Sequence, residues 1–193
     1  MVLKSLFIFA AVIVVSAQTS STKLDVPGNF TRVMRLASPD GSHVLYGVPF
    51  RESVNEGPQL WIENMRTHRR HMLLSIPDTL SAAWASDGSA FYVQDHVASD
   101  ETFSFIYDTD TLRRLDLAAS ILASDPAARR FADGHAHFDV DGWQGAGQVI
   151  VHFYGHTDEP PVSSFDFRYQ VSRAGDVVKL SQRVCVFGQT GCR

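Results

Sequence analysis

Cysteine is nearly absent from this sequence: Cys185 and Cys192 are the only two in 193 residues. At most one disulfide can form within the chain. A basic excess is also missing. Lys and Arg number 17 against 21 Asp and Glu, a formal net charge of −4, so nothing in the balance grips a phosphate backbone and nucleic acid is not the expected partner. No apolar run reaches the roughly 20 residues of a bilayer-spanning helix. Several catalytic signatures are absent as well. There is no Gly-x-Ser-x-Gly elbow, no Walker-type loop ending in Lys and no Gly-x-Gly-x-x-Gly fingerprint. No cofactor is implied, and catalysis is left unassigned.

Apolar residues at 45% and charged residues at 20% are ordinary for a globular chain and speak against disorder, collagen or coiled coil. The N-terminus carries a signal-peptide pattern. Lys4 precedes the ten-residue apolar run Leu6–Val15, and Val15-Ser16-Ala17 places small residues before Gln18. Residues 1–17 are therefore expected to be removed on export to the periplasm or the cell exterior, with no stable membrane insertion afterwards. Residues 18–193 are enough for one domain. In an exported chain the close pair Cys185 and Cys192 reads as one small disulfide loop, with Gly188 and Gly191 inside it. Asn29-Phe30-Thr31 fits a glycosylation acceptor, which matters only in a eukaryotic source.

A repeat organises the rest. Asp-Gly recurs at Asp40-Gly41, Asp87-Gly88 and Asp141-Gly142, each read as a tight hairpin turn because Gly accepts positive φ. Strand-like stretches precede them (Arg32–Ala37, Ser81–Trp84, His135–Phe138) and follow them (Val44–Val48, Phe91–Gln94, Val149–Tyr154). Aromatic runs come third, at Leu60–Ile62, Phe103–Tyr107 and Phe165–Tyr169. Phe165, Phe167 and Tyr169 alternate with polar residues, the period of a half-buried strand. A fourth stretch closes each unit: His71–Leu74, Arg113–Leu117 and Val177–Leu180. Three four-stranded antiparallel units follow, at about 31–75, 81–117 and 135–181, each the size of a propeller blade. Residues 117–131 have helical composition, with Asp125 as N-cap and Pro126 at the first helical position.

Ala37-Ser38-Pro39-Asp40-Gly41-Ser42 resembles the Ser-Pro-Asp-Gly signature of TolB-type, WD40-like propeller repeats. Trp84-Ala85-Ser86-Asp87-Gly88-Ser89 is similar, with the leading Trp but Ser in place of Pro, and Phe138–Gly142 is a degenerate third copy. The resemblance implies blades of the kind found in exported bacterial proteins that bind other proteins. Three units are fewer than the four to eight that usually close a propeller. An open array, a fourth unrecognised blade, a six-bladed ring shared by two chains and a sandwich are the ways to resolve this. Because residues 18–29 and 181–193 can cap the two ends, an all-β partial propeller and a monomer are expected over a dimer.

One cluster suggests chemistry. His135, His137 and Asp139 alternate along one strand, Asp141 continues them, and His152 and His156 lie on the next. Such a set can hold a divalent metal and is the basis of an alternative reading as a metal-dependent hydrolase. The simpler reading makes these surface positions and Asp141 a turn residue. The loop pairs Asp100-Glu101 and Asp158-Glu159 are read as solvated, Gly142–Gly147 as a flexible turn, and the basic stretch Arg66–His71 as a polar strand edge. The expected function is an exported, non-catalytic binding module for a protein or peptide partner in the cell envelope, with a structural envelope component as a further alternative. The intact mass of the exported protein is expected to match residues 18–193, and peptides mapped without reduction should join Cys185 to Cys192. A full-length chain embedded in membrane would contradict the first expectation, and two alkylatable thiols the second.

Overall fold

The computed structural model describes residues 23–50, 57–98, 101–132, 135–159 and 161–188. The leader and Cys192 lie outside them, so neither the cleavage nor the disulfide is addressed. No helix among the described residues is long and apolar enough to cross a membrane. The chain is all-β, a propeller-like array of three antiparallel units. The first unit is a sheet of β2 (Met34–Ala37), β3 (His43–Val48), β4 (Gln59–Asn64) and β5 (Arg70–Ser75), in that order. The second runs β6 (Thr79–Trp84), β7 (Ala90–Ala98), β8 (Glu101–Asp108) and β9 (Arg114–Asp116). The third is β10 (His135–Gln144), β11 (Gln148–His156), β12 (Ser163–Ser172) and β13 (Val177–Val186). Ten of the twelve expected strands fall inside these elements; Arg32–Ala37 starts two residues before β2, and Arg113–Leu117 extends one residue past each end of β9, with Leu117 already helical.

Two departures change how the units connect. A short first strand, β1 (Lys23–Val26), pairs antiparallel with β6 and covers the edge that β7 leaves free. The third unit is also joined edge to edge with the second, through a parallel contact of Ala136 with Glu101. β9 makes this possible, because it pairs only with Phe105–Tyr107 and leaves the start of β8 open. β10 then leaves the edge of β8, and side chains of the second unit supply its hydrogen bonds. The buried Ser104 donates to the Phe138 carbonyl at 2.5 Å, and the Val140 N–H donates to the buried Gln94 at 2.9 Å. These bonds satisfy backbone groups that a regular ladder would otherwise pair.

The helical insertion is present but differently capped. α1 (Leu117–Ser124) starts at Asp116, whose carboxylate accepts from the Ala119 N–H at 2.9 Å. A 3-10 turn follows over Pro126–Phe131 with Pro at its start. Asp125 makes no side-chain cap. Its carboxylate instead accepts from the Tyr169 hydroxyl at 2.8 Å and pairs with Lys179. α1 and the turn bury Leu117, Ile121, Ala128 and Phe131 against the third unit, where Phe131 lies 5.0 Å from Phe165 and 5.1 Å from Phe167.

The second unit is apolar on both faces. Trp84, Phe91, Val93 and Tyr107 pack against Leu36, Leu45, Leu60 and Ile62 of the first unit. Ala83, Tyr92 and Ile106 pack against Phe138, Val140 and Phe153 of the third. Phe91 is fully buried, stacked on Tyr107 at 5.1 Å and edge-on to Trp84 at 4.9 Å.

Asp95 breaks this apolar pattern. It is 8% exposed, one of its oxygens is buried without a hydrogen bond, and burial, reinforced by the charge of Asp78, raises its pKa to about 6. The ionised form is disfavoured in the folded state. The resulting penalty is absent below the ordinary aspartate value of 3.8, grows as pH rises, and is complete above about 6. Asp95→Asn is therefore expected to stabilise the fold at pH 7.5 by on the order of 1–2 kcal/mol and to have little effect near pH 4. Denaturant midpoints at the two pH values check this, and a loss of stability at pH 7.5 would contradict it.

Candidate functional site

The repeat turns come first because they bring the inner strands together. Gly41 and Gly88 adopt φ of +70° and +71°, as the Asp-Gly reading requires. Asp40 accepts from the Ser38 hydroxyl at 2.6 Å and the Ser42 N–H at 3.1 Å, and these bonds lower its pKa to about 2. Asp87 accepts from the N–H and hydroxyl of Ser89 in the same way, at 3.0 and 2.5 Å. The two turns also touch. A Cβ on Gly88 would lie 2.8 Å from the Asp40 carboxylate and would push that side chain aside, and the positive φ independently favours glycine here.

Asp141 and Gly142 do not form the third turn. They lie inside β10, where the register with β11 shifts between Val140 and Gly142, and the hairpin turns instead at residues 145–147. A bulge of this kind bends the strand and re-aims its side chains. Asp141 pairs with Arg168 of β12, and Trp143 points back toward the second unit.

Two indoles then link the three units. Trp84 Nε1 donates to the Leu36 carbonyl at 3.2 Å, and Trp143 Nε1 to the Ala83 carbonyl at 3.0 Å. Leu36 and Ala83 occupy equivalent places, each four residues before its repeat aspartate. Each later unit therefore anchors on the inner strand of the one before. Between these anchors a cleft of about 760 Å³ opens, walled by β2, the end of β6 and the bulged end of β10. Ala37, Pro39 and Trp143 give it apolar surface, while Lys23, Arg35 and Asp141 carry its charge. Lys23 is paired with Asp25 at 3.0 Å, and Arg35 lies over the Tyr46 ring, 5.1 Å from its centre.

The candidate metal residues share the outer face of the third unit but divide into two groups. His137 lies opposite Tyr154, and Asp139 opposite His152. The Tyr154 hydroxyl donates to Asp139 at 2.9 Å, and burial together with that bond raises its pKa to about 12. His152 Nε2 lies 3.0 Å from Asp166, and His137 Nδ1 lies 3.3 Å from the Thr102 hydroxyl. These side chains are engaged with one another and with sheet neighbours. His135 and His156 form the second group. They face each other directly at the end of the hairpin, with rings stacked 4.5 Å apart.

The first unit's outer face is also polar at its centre. Glu63, 4% exposed, accepts from the Tyr46 hydroxyl at 2.5 Å and from Arg70 at 2.8 Å, and lies 3.1 Å from His68. Those contacts, the Tyr46 bond foremost, lower its pKa to about 2. The sequence reading did not single out Arg35, Tyr92 or Trp143 of the cleft. For Trp143, the signal was its place directly after the third Asp-Gly.

No protein-family model matches the chain, and no curated protein sequence does. Solved structures similar to it include the β-propeller domain of the Trilobed protease from Pyrococcus furiosus, at 17% identity and a TM-score of 0.47, covering 77% of this chain and 42% of that one. Another is TolB from Acinetobacter baumannii, at 14% identity and a TM-score of 0.35, covering 87% of this chain and 45% of that one. The chain thus spans less than half the length of either structure.

Proposed function

We propose that the protein is an exported, non-catalytic binding module whose inner cleft receives a peptide segment of a protein partner in the cell envelope. The observation that carries this reading is the cleft itself. It lies where three inner strands converge, at about 760 Å³ it falls within the usual range of ligand pockets, and apolar surface and a few charges line it. Its walls are held by backbone-anchored indoles, so the shape is fixed before a ligand arrives. The bound segment would lie against Trp143 and Pro39, with Lys23, Arg35 and Asp141 selecting charge at its ends.

Ala37 is exposed on the cleft wall, so a long side chain there fills the space without removing a packing contact. Ala37→Arg is expected to leave stability within about 0.5 kcal/mol of the parent. It should also abolish recovery of the partner when the purified protein is used as bait in envelope extract. Equal recovery by parent and variant would reject the cleft as the binding site. Failure of the parent to retain any envelope protein would reject the binding-module reading.

A further inference from the structure

We propose that His135, His156 and Asp158 form a zinc site at the end of the β10–β11 hairpin. The Nε2 atoms of both histidines lie 3.7 Å from the same Asp158 oxygen. One ligand atom from each of the three residues falls within 4.8 Å of the others. Zinc bonded to nitrogen and oxygen at about 2.0–2.1 Å in a tetrahedron sets its ligands roughly 3.3–3.4 Å apart. The two histidine–aspartate sides, at 3.7 Å, exceed this by a few tenths of an ångström, and the third side is no longer than 4.8 Å, so the histidines close together as the metal binds. Histidine with carboxylate is also a donor set that suits zinc.

The backbone holds this triangle in place. His135 and His156 are direct cross-strand partners, and the adjacent pair is Ala136 with Gly155. At Gly155, φ is +151° and a Cβ would fall 1.8 Å from the His135 carbonyl oxygen. Only glycine lets the strands approach this closely, and that approach stacks the two imidazoles beside each other. Asp158 follows directly in the loop after β11. Three protein ligands leave a fourth tetrahedral position. Beside the histidines a cavity of about 540 Å³ is lined by His137, Tyr154, Phe165 and Phe187. Water or an anionic group of a ligand would complete the coordination from that side.

The site differs from the full cluster suggested by the sequence. His137, Asp139 and His152 are held in the neighbouring hydrogen-bonded group, and Asp158, read as half of a solvated pair, supplies the third ligand. The inference concerns metal binding rather than turnover and does not depend on the inner cleft.

Untagged protein titrated calorimetrically with zinc chloride at pH 7.5 should bind one ion. His135→Ala, His156→Ala and Asp158→Asn should each weaken binding by at least about ten-fold, while His152→Ala should leave it unchanged. Cobalt should bind with the visible absorption of a tetrahedral centre. The three ligand positions are partly or fully exposed, so circular dichroism can confirm that the variants remain folded. Absence of saturable binding, or binding unaffected by all three ligand substitutions, would overturn the proposal.

Discussion

A sheet that is apolar on both faces cannot be stable alone, and the second unit is such a sheet. Along β7, Phe91 and Val93 point toward the first unit while Tyr92 points toward the third. Strand alternation makes this unavoidable, because successive side chains leave opposite faces. Both neighbours are therefore required, and their order in the chain follows from that need. Truncating a side chain as fully buried as Phe91 would cost about 3–5 kcal/mol, a large share of the 5–15 kcal/mol that holds a typical domain. The outer faces of the stack carry the opposite chemistry, with Glu63, Tyr46 and Arg70 on the first unit and the histidine–aspartate group on the third. The array thus has an apolar interior and polar centres on its two end faces.

The same constraint creates the cleft. Face-to-face packing brings β2, β6 and β10 together at one side, and indole-to-carbonyl bonds fix their separation. The bulge at Asp141 and Gly142 does two jobs. It accompanies the turn of Trp143 toward Ala83, and it places Asp141 against Arg168. Binding at the inner edge and metal at the far hairpin end use different parts of β10, so one strand serves both proposed sites.

Much of the architecture was legible because it rests on local patterns. Strand-like runs spaced around the Asp-Gly repeats located twelve strands, with period-two alternation clearest at Phe165–Tyr169, and Asp-Gly correctly marked the first two turns. β1 escaped notice, since Lys23–Val26 offers only Leu24 and Val26 as buried residues. The junction of β8 with β10 was not readable either. It depends on β9 being short and on Gln94 and Ser104 meeting backbone groups more than thirty residues away. Asp141-Gly142 misled because the same dipeptide suits a bulge as well as a turn. At the histidines, strand alternation placed His135, His137 and Asp139 on one face, as the sequence suggested. The split into two groups came from cross-strand register, which pairs His135 with His156 and Asp139 with His152, and no spacing along one chain reveals such a register.

Native-state hydrogen exchange tests most directly whether the doubly apolar second unit holds the array together. Amides of β6, β7 and the centre of β8 should exchange slowest. The first and third units should also lose protection when Phe91 or Tyr92 is replaced by Ala, because each substitution weakens a sheet that both neighbours depend on. Slower exchange in the first or third unit than in the second would contradict this account, as would loss of protection confined to the unit that the altered side chain faces.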